Sequence, residues 1–159
     1  MAKSNHITRA GWQQLDQELK FLWKEERPKV TQAVSDAAAL GDRSENAEYI
    51  YGKKRLREID RRVRFLSKRL ETLKIVDYHP NQEGKVFFGA WVELENENNE
   101  IKQYRIVGCD EFSPSKNWIS IDSPVARALI GKQVDDEVRV ETPSGMAIFY
   151  INRIWYEKE

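Results

Sequence analysis

Read as a string of apolar and polar positions, the chain changes period once. In the first half, Trp12, Leu15, Leu19 and Leu22, then Val30, Val34, Ala37 and Leu40, recur every three or four positions, with an interruption at Glu26. That is the spacing of one face of a helix, and Thr8 stands where its N-cap belongs. Pro28 falls inside the pattern, where it removes a backbone donor at a cost of about 3 kcal/mol. Because the apolar pattern resumes beyond it, the sequence predicts a kink between Glu25 and Pro28 rather than a break. A second segment steps through Gly52, Leu56, Ile59, Val63, Leu66, Leu70 and Leu73 by four and three throughout, the seam of a coiled coil. The two segments, residues 12–40 and 45–74, are similar in length, roughly 45 Å each at ~1.5 Å per residue. A short connection between long helices predicts an antiparallel hairpin. Ala37, Ala38 and Ala39 are expected to face Gly52, letting the helices approach closely near the tip.

The stretch Asp77-Tyr78-His79-Pro80-Asn81-Gln82-Glu83-Gly84 is polar, with Pro and Gly, and reads as a linker. Beyond it the period becomes two. Strands are predicted over 86–95, 102–109, 118–121, 137–141 and 147–156, the first two joined by a turn at Glu97-Asn98-Asn99. One short helix is predicted from Pro124 to about Ile130, with Ser123 as its N-cap. Helices in one half and strands in the other make the fold class α+β. The expected domains are an antiparallel two-helix coiled-coil hairpin over residues 1–76 and a compact α+β domain over 77–159. Phe87, Phe88, Trp91, Trp118, Phe149, Tyr150, Trp155 and Tyr156 are read mostly as core of the second.

Charge sharpens this division. The formal net charge is zero, yet up to Val76 there are 17 Lys and Arg against 11 Asp and Glu, and after it 9 against 15. A basic half suits a polyanionic partner and an acidic half a protein partner. The basic character concentrates between Lys53 and Arg69, where nine of seventeen residues are Lys or Arg and only Glu58 and Asp60 are acidic. Lys54, Arg57, Arg61, Arg64 and Lys68 recur by three and four and form one stripe opposite the leucine seam. A surface that serves solubility alone alternates sign to gain i,i+4 pairs, whereas this one accumulates repelling charge. The stripe rises ~21 Å, enough to follow several phosphates of an extended single strand. Cys109 is the single cysteine, and neither His6 nor His79 has metal-ligand spacing to it. The polar first ten residues and the lack of any ~20-residue apolar run predict neither a signal peptide nor a membrane span, hence a cytoplasmic protein with no membrane partner.

Between the helices lies Leu40-Gly41-Asp42-Arg43-Ser44-Glu45-Asn46-Ala47-Glu48-Tyr49. As spacing alone this is a capped turn, with Gly41 ending one helix and Asp42 and Glu45 forming a capping box for the next. Two carboxylates are too few ligands for octahedral Mg²⁺ alone, though enough to complete a site half built by another molecule.

This decapeptide, followed by the basic helix, closely resembles the bacterial transcript cleavage factors of the Gre family. The run Ser120-Ile121-Asp122-Ser123-Pro124-Val125-Ala126-Arg127-Ala128-Leu129-Ile130-Gly131-Lys132 resembles the C-terminal domain of the same family. The continuous basic stripe and Trp23-Lys24-Glu25-Glu26-Arg27-Pro28 are similar to its GreB branch rather than to the sister GreA branch. The resemblance implies an FKBP-like fold for the second domain and a hairpin that enters the secondary channel of RNA polymerase, reaching the active centre of a backtracked complex. By the same resemblance Asp42 and Glu45 match the catalytic acidic pair, which helps hold a second Mg²⁺ shared with the polymerase and position water, so that the polymerase cleaves its own RNA. The factor is then not an autonomous enzyme. Ser44, Asn46 and Tyr49 support the tip, with Ser44 either orienting water or a carboxylate or capping the helix. Lys54, Arg57, Arg61, Arg64 and Lys68 attract the extruded RNA 3′ segment through its phosphates. Asp122, Ser123 and Pro124 fall in the loop that docks on the rim of the channel, and the protein is expected to be monomeric. Asp135 stands where the family more often has Gly, which leaves the form of that turn open. Three further readings stay open on sequence: a GreA-like sister factor, a binding-only occupant of the channel without cleavage activity, and a prolyl isomerase or chaperone on an FKBP-like domain.

Overall fold

The computed structural model describes residues 3–157, and the chain forms two compact units. The first to consider, Trp12–Leu73, is helical. Helix α1 (Arg9–Phe21) runs through a π-helical segment (Leu22–Glu26) into α2 (Arg27–Ala39), and α3 (Ala47–Thr72) returns against them. Thr8 caps α1 as expected, its Oγ1 accepting the Gly11 N–H at 3.0 Å. The predicted kink takes the form of the π segment. The Arg27 N–H reaches five residues back to the Leu22 carbonyl, so the widened turn accommodates a proline ring that would crowd the carbonyl four residues before it in a regular α-helix. Along α3 burial is strictly heptad: Gly52, Ile59 and Leu66 are buried, and Leu73 follows just past its end. Gly52 faces Val34 rather than Ala37–Ala39, and a β-carbon on Gly52 would lie 2.5 Å from Val34 Cγ2. Outside this narrow seam the helices are linked by ion pairs, Arg62–Glu18 at 2.6 Å, Arg55–Glu26 at 2.5 Å and Arg27–Asp60 at 2.8 Å.

The second unit joins the N-terminal segment through Gly11 to Lys74–Glu159, which differs from the division at residue 76 read from the sequence. Its cause is a two-stranded parallel pair, β1 (His6–Ile7) with β2 (Lys74–Ile75). Pairs of two residues carry no periodicity, so the pattern of the chain is silent about them. Glu111 fastens the same segment, accepting hydrogen bonds from the Thr8 N–H, the Thr8 hydroxyl and the Gly108 N–H. The outer ends of the two expected domains, residues 1–2 and 158–159, lie outside the described residues.

The rest of this unit is a five-stranded mixed sheet built from β3 (Ala90–Asn96), β4 (Ile101–Val107), β5 (Trp118–Ser120), β6 (Glu137–Thr142) and β7 (Gly145–Tyr156), in the order β5-β4-β3-β7-β6. Only β4 and β5 pair in parallel. All five predicted strands are present, but residues 86–89 precede β3, β4 ends at Val107 so that 108–109 lie beyond it, and β7 starts two residues earlier, at Gly145. Alternation accounts for β3, where Ala90, Val92 and Leu94 are buried and the residues between them are not. The short helix α4 (Pro124–Leu129) contributes Ala126 and Leu129 to a core shared with Val86, Val92, Ile106, Val138 and Ile151. This is the α+β architecture expected. Tyr156 closes one edge: its hydroxyl donates to the Lys85 carbonyl at 2.6 Å and accepts from the Phe87 N–H at 2.9 Å, and burial pushes its pKa up to about 12. Asp135, in the place of a glycine, has φ +74°. The turn keeps the left-handed backbone that favours glycine and holds an aspartate in it.

Candidate functional site at the hairpin tip

The turn between α2 and α3 is built from side chains bonding to nearby backbone. Helix α2 ends at Ala39, and Gly41 carries φ +150°. The capping box expected at Asp42 and Glu45 does not form. Helix α3 starts later, at Ala47, and its N-cap is Asn46, whose Oδ1 accepts the Tyr49 N–H at 3.1 Å. The Asn46 amide also donates to the Ala37 carbonyl at 2.7 Å. One side chain therefore bonds a last-turn carbonyl of the incoming helix, which also accepts the Leu40 N–H, and satisfies an orphan N–H of the outgoing one. The signal for this was present, since Asn is among the preferred N-caps and precedes Tyr49 by three residues. Asp42, four residues earlier and next to Gly41, competes with it on sequence because it completes a D-x-x-E pattern.

Freed from capping, Asp42 makes a different local structure. Its Oδ1 accepts both the Ser44 N–H at 2.9 Å and the Ser44 hydroxyl at 2.8 Å, an Asx-type turn. Ser44 is thus the residue that aims Asp42 and does not cap α3. These two hydrogen bonds to the charged form, the backbone one first, hold the Asp42 carboxyl below its ordinary pKa. Oδ2 takes no part in them, and the residue is exposed. Glu45 is exposed, and no ion pair or hydrogen bond with another described residue holds it. The Arg43 guanidinium lies over the Tyr49 ring, 5.5 Å from its centroid, which turns that cation back toward α3.

The structure therefore gathers Asp42, Ser44, Glu45, Asn46 and Tyr49 in one turn, with both carboxylates exposed and the side chains of Ser44 and Asn46 bonded within it. Carboxylate oxygens are the hard donors that Mg²⁺ prefers, but two of them leave an octahedral ion short of ligands. Among the described residues no group of three or more His, Cys, Asp or Glu is placed to hold a metal.

The stripe on α3 is as the sequence placed it. Lys54, Arg57, Arg61, Arg64 and Lys68 are all exposed, on the side away from Gly52, Ile59 and Leu66. Arg55 and Arg62, which interrupt the pattern, are the ones drawn into interhelix pairs. The cationic residues thus sort by face, with one set bracing the hairpin and the other facing solvent.

Asp122, Ser123 and Pro124 sit in the other unit, before α4. The Asp122 carboxylate accepts the Ser4 N–H at 2.9 Å, and the Ser123 hydroxyl caps α4 by accepting the Ala126 N–H at 3.3 Å. Both are partly buried and structurally engaged, whereas Pro124 is exposed. The sequence reading missed the tie from Ser4, which comes from 118 residues away.

Two family models match the chain. The model described as "Transcription elongation factor, N-terminal" matches residues 5–75, and the one described as "Transcription elongation factor, GreA/GreB, C-term" matches residues 81–156. The chain belongs to the GreA/GreB family of transcription elongation factors. Among its relatives, the transcription elongation factor GreB of Haemophilus influenzae is 85% identical over 158 residues, covering 99% of this chain and all of that one. GreB of Yersinia pestis is 76% identical over 98% of this chain and 91% of its own length. GreB of Vibrio cholerae is 64% identical, over 98% of each. A solved structure of GreA factor homolog 1 from Thermus thermophilus is 25% identical and covers 96% of this chain and 99% of its own, with a TM-score of 0.43. Among the described residues no helix is long and apolar enough to cross a membrane.

Proposed function

We propose that this chain acts on RNA polymerase in the cytoplasm as a monomeric GreB-type factor. Its hairpin enters the secondary channel, and its tip stimulates the polymerase's own cleavage of backtracked RNA. The observation that carries this is the pair of solvent-facing carboxylates at the tip, one of them, Asp42, kept ionised and oriented by Ser44. Membership of the family supplies the context.

In this reading Asp42 and Glu45 would hold Mg²⁺ jointly with the polymerase. The ion, when bound, supplies a Lewis acid and an acidified water. The chain's own work is positional. Asn46 pins the two helix ends together, the Ser44 bonds select one orientation of Asp42, and Glu45 stays free to turn toward a ligand from outside. A carboxylate already ionised and aimed needs little reorganisation on docking, which favours catalysis by pre-organised charge. The exposed stripe Lys54, Arg57, Arg61, Arg64 and Lys68 draws the extruded RNA along α3 by phosphate contacts that read no sequence. The loop of Asp122, Ser123 and Pro124 docks on the rim of the channel, and its engaged side chains support a preset shape for that contact.

The test is cleavage in a defined backtracked complex. Asp42→Asn and Glu45→Gln are each expected to lower the stimulated rate at least 100-fold, on the order of losing one pre-organised catalytic contact, while polymerase binding changes little. Unchanged cleavage in both variants sinks the proposal. A factor that only occupies the channel has no cleavage to lose. For the stripe, joint replacement of Arg57, Arg61 and Arg64 by Gln should slow cleavage of long extruded segments at physiological salt and spare short ones.

A further inference from the structure

Resting on the RNA path just proposed, we infer that Phe65 is a base-stacking platform set into the basic stripe, so that α3 grips extruded RNA by its bases as well as by its phosphates. A phenylalanine on the polar side of a helix needs a reason, and the seam supplies none. Ile59, Leu66 and Leu73 form the buried line, and Phe65, one position before Leu66, is turned about 100° away from it. The residue is 47% exposed.

Its surroundings are cationic. Arg61 lies one turn before it and Lys68 three residues after, both exposed members of the stripe. From the other side the Arg62 guanidinium covers the ring at 5.4 Å from the centroid, and Arg62 is itself anchored by two hydrogen bonds to Glu18, 2.6 and 2.9 Å long. A guanidinium fixed in this way backs the ring and restrains it, so a ligand meets an already ordered aromatic surface. Arg61, Arg62 and Phe65 also share a shallow depression with Glu58, whose carboxylate is drawn aside by Arg55 at 3.3 Å.

An exposed aromatic between cations is the arrangement that binds single-stranded nucleic acid without regard to sequence, since every base offers a π-face. Charge decides between RNA and a protein surface as the occupant. The face that holds Phe65 carries five exposed cations from Lys54 to Lys68, which suits phosphates best. Phe65 lies roughly 28 Å along the axis from the start of α3, at ~1.5 Å per residue. Only RNA extruded far from the tip reaches it, so the stack contributes to long segments and not to short ones.

The experiment uses full-length factor and backtracked complexes with long or short extruded segments. The long segment is made with ordinary nucleotides or with abasic sugars at its outer positions, and the factor concentration giving half-maximal cleavage is measured. For Phe65→Leu that concentration should rise about fivefold to tenfold on the long base-bearing segment, the low end of base–aromatic stacking. It should stay unchanged on the abasic and short segments, and Phe65→Tyr should behave as the unaltered protein. Equal loss on abasic and base-bearing RNA, or on short and long segments, overturns the inference in favour of a structural or protein-contact role, as does no loss at all. If the Arg57, Arg61 and Arg64 replacement slows long-segment cleavage while Phe65→Leu does not, only the stack falls. If neither has an effect, the RNA path falls with it.

Discussion

The two units solve the same problem, holding a loop in one conformation, with opposite means. Around Asp122 the sheet unit uses long-range contacts: Ser4 donates to the carboxylate from the far end of the sequence, and behind the loop Ala126 and Leu129 join a continuous buried core. At Asp42 the hairpin has no comparable core. A single buried residue per heptad runs down α3, and the turn itself is held by side chains no more than nine residues from their partners. A core sets a loop by burial, which needs bulk around it. Local hydrogen bonding sets a loop with almost no width.

Breaking the comparison on the side of burial should have the largest effect. Ile151→Ala removes a fully buried side chain from the sheet core and is expected to cost about 3–4 kcal/mol. Urea unfolding followed by tryptophan fluorescence should report it, because Trp91, Trp118 and Trp155 all lie in this unit. On the hairpin side, Gly52→Val drives new methyl groups against Val34, already 2.5 Å from a bare β-carbon. A loss of about 1–3 kcal/mol, the range for overpacking, should appear as a lower helix-melting temperature in far-UV circular dichroism.

Asn46→Ala is the sharper test of local control. It deletes the tie to α2 and the cap of α3, at an expected cost of about 1–2 kcal/mol, and should lower stimulated cleavage by more than the small stability change explains. If cleavage stays at the level of the unaltered protein, the turn does not depend on this residue. The smallest expected effect is with pH. Interaction with Arg62 and with Arg27 lowers the folded-state pKa of Glu18 and of Asp60 below their ordinary values. Folding therefore favours the ionised form, so the stabilisation is complete above the unfolded carboxylate pKa values near 4 and is lost as pH falls through the lowered folded values. For pairs this exposed the loss should not exceed about 1 kcal/mol each. Helix content followed down to pH 2, with and without Arg62→Ala, checks it, since the variant should lose part of the acid sensitivity.

Legibility in the sequence followed the range of the interaction. The heptad on α3, the alternation of β3 and the cap at Ser123 were readable because each is decided by residues a few positions apart. So was the sorting of Lys54, Arg57, Arg61, Arg64 and Lys68 to one face, which follows from 100° per residue once the helix is granted. Errors arose where two local solutions competed. Asp42 and Asn46 are both good caps, and only the actual end of α2, with the Ala37 carbonyl within reach of the Asn46 amide, selects the second. At Pro28 the sequence required some departure from α geometry, and packing against α3 took the form of a π turn rather than a gap in the helix.

By itself, then, the sequence determined the two-part architecture, the basic face and the identity of the residues at the tip, since periodicity and helical geometry are local consequences of side-chain order. Tertiary structure alone decided that β1 and β2 join the N-terminus to the sheet unit, that Arg62 and Arg55 brace the hairpin while Arg61 and Arg64 stay free of its seam, and that Asp42 answers to Ser44 instead of capping a helix. The first two depend on which groups meet across a gap in the chain, and the third on where α2 ends and Asn46 begins α3. A carboxylate has several partners of comparable strength within reach of its own segment, and the choice among them is made by the backbone that the rest of the molecule holds in place.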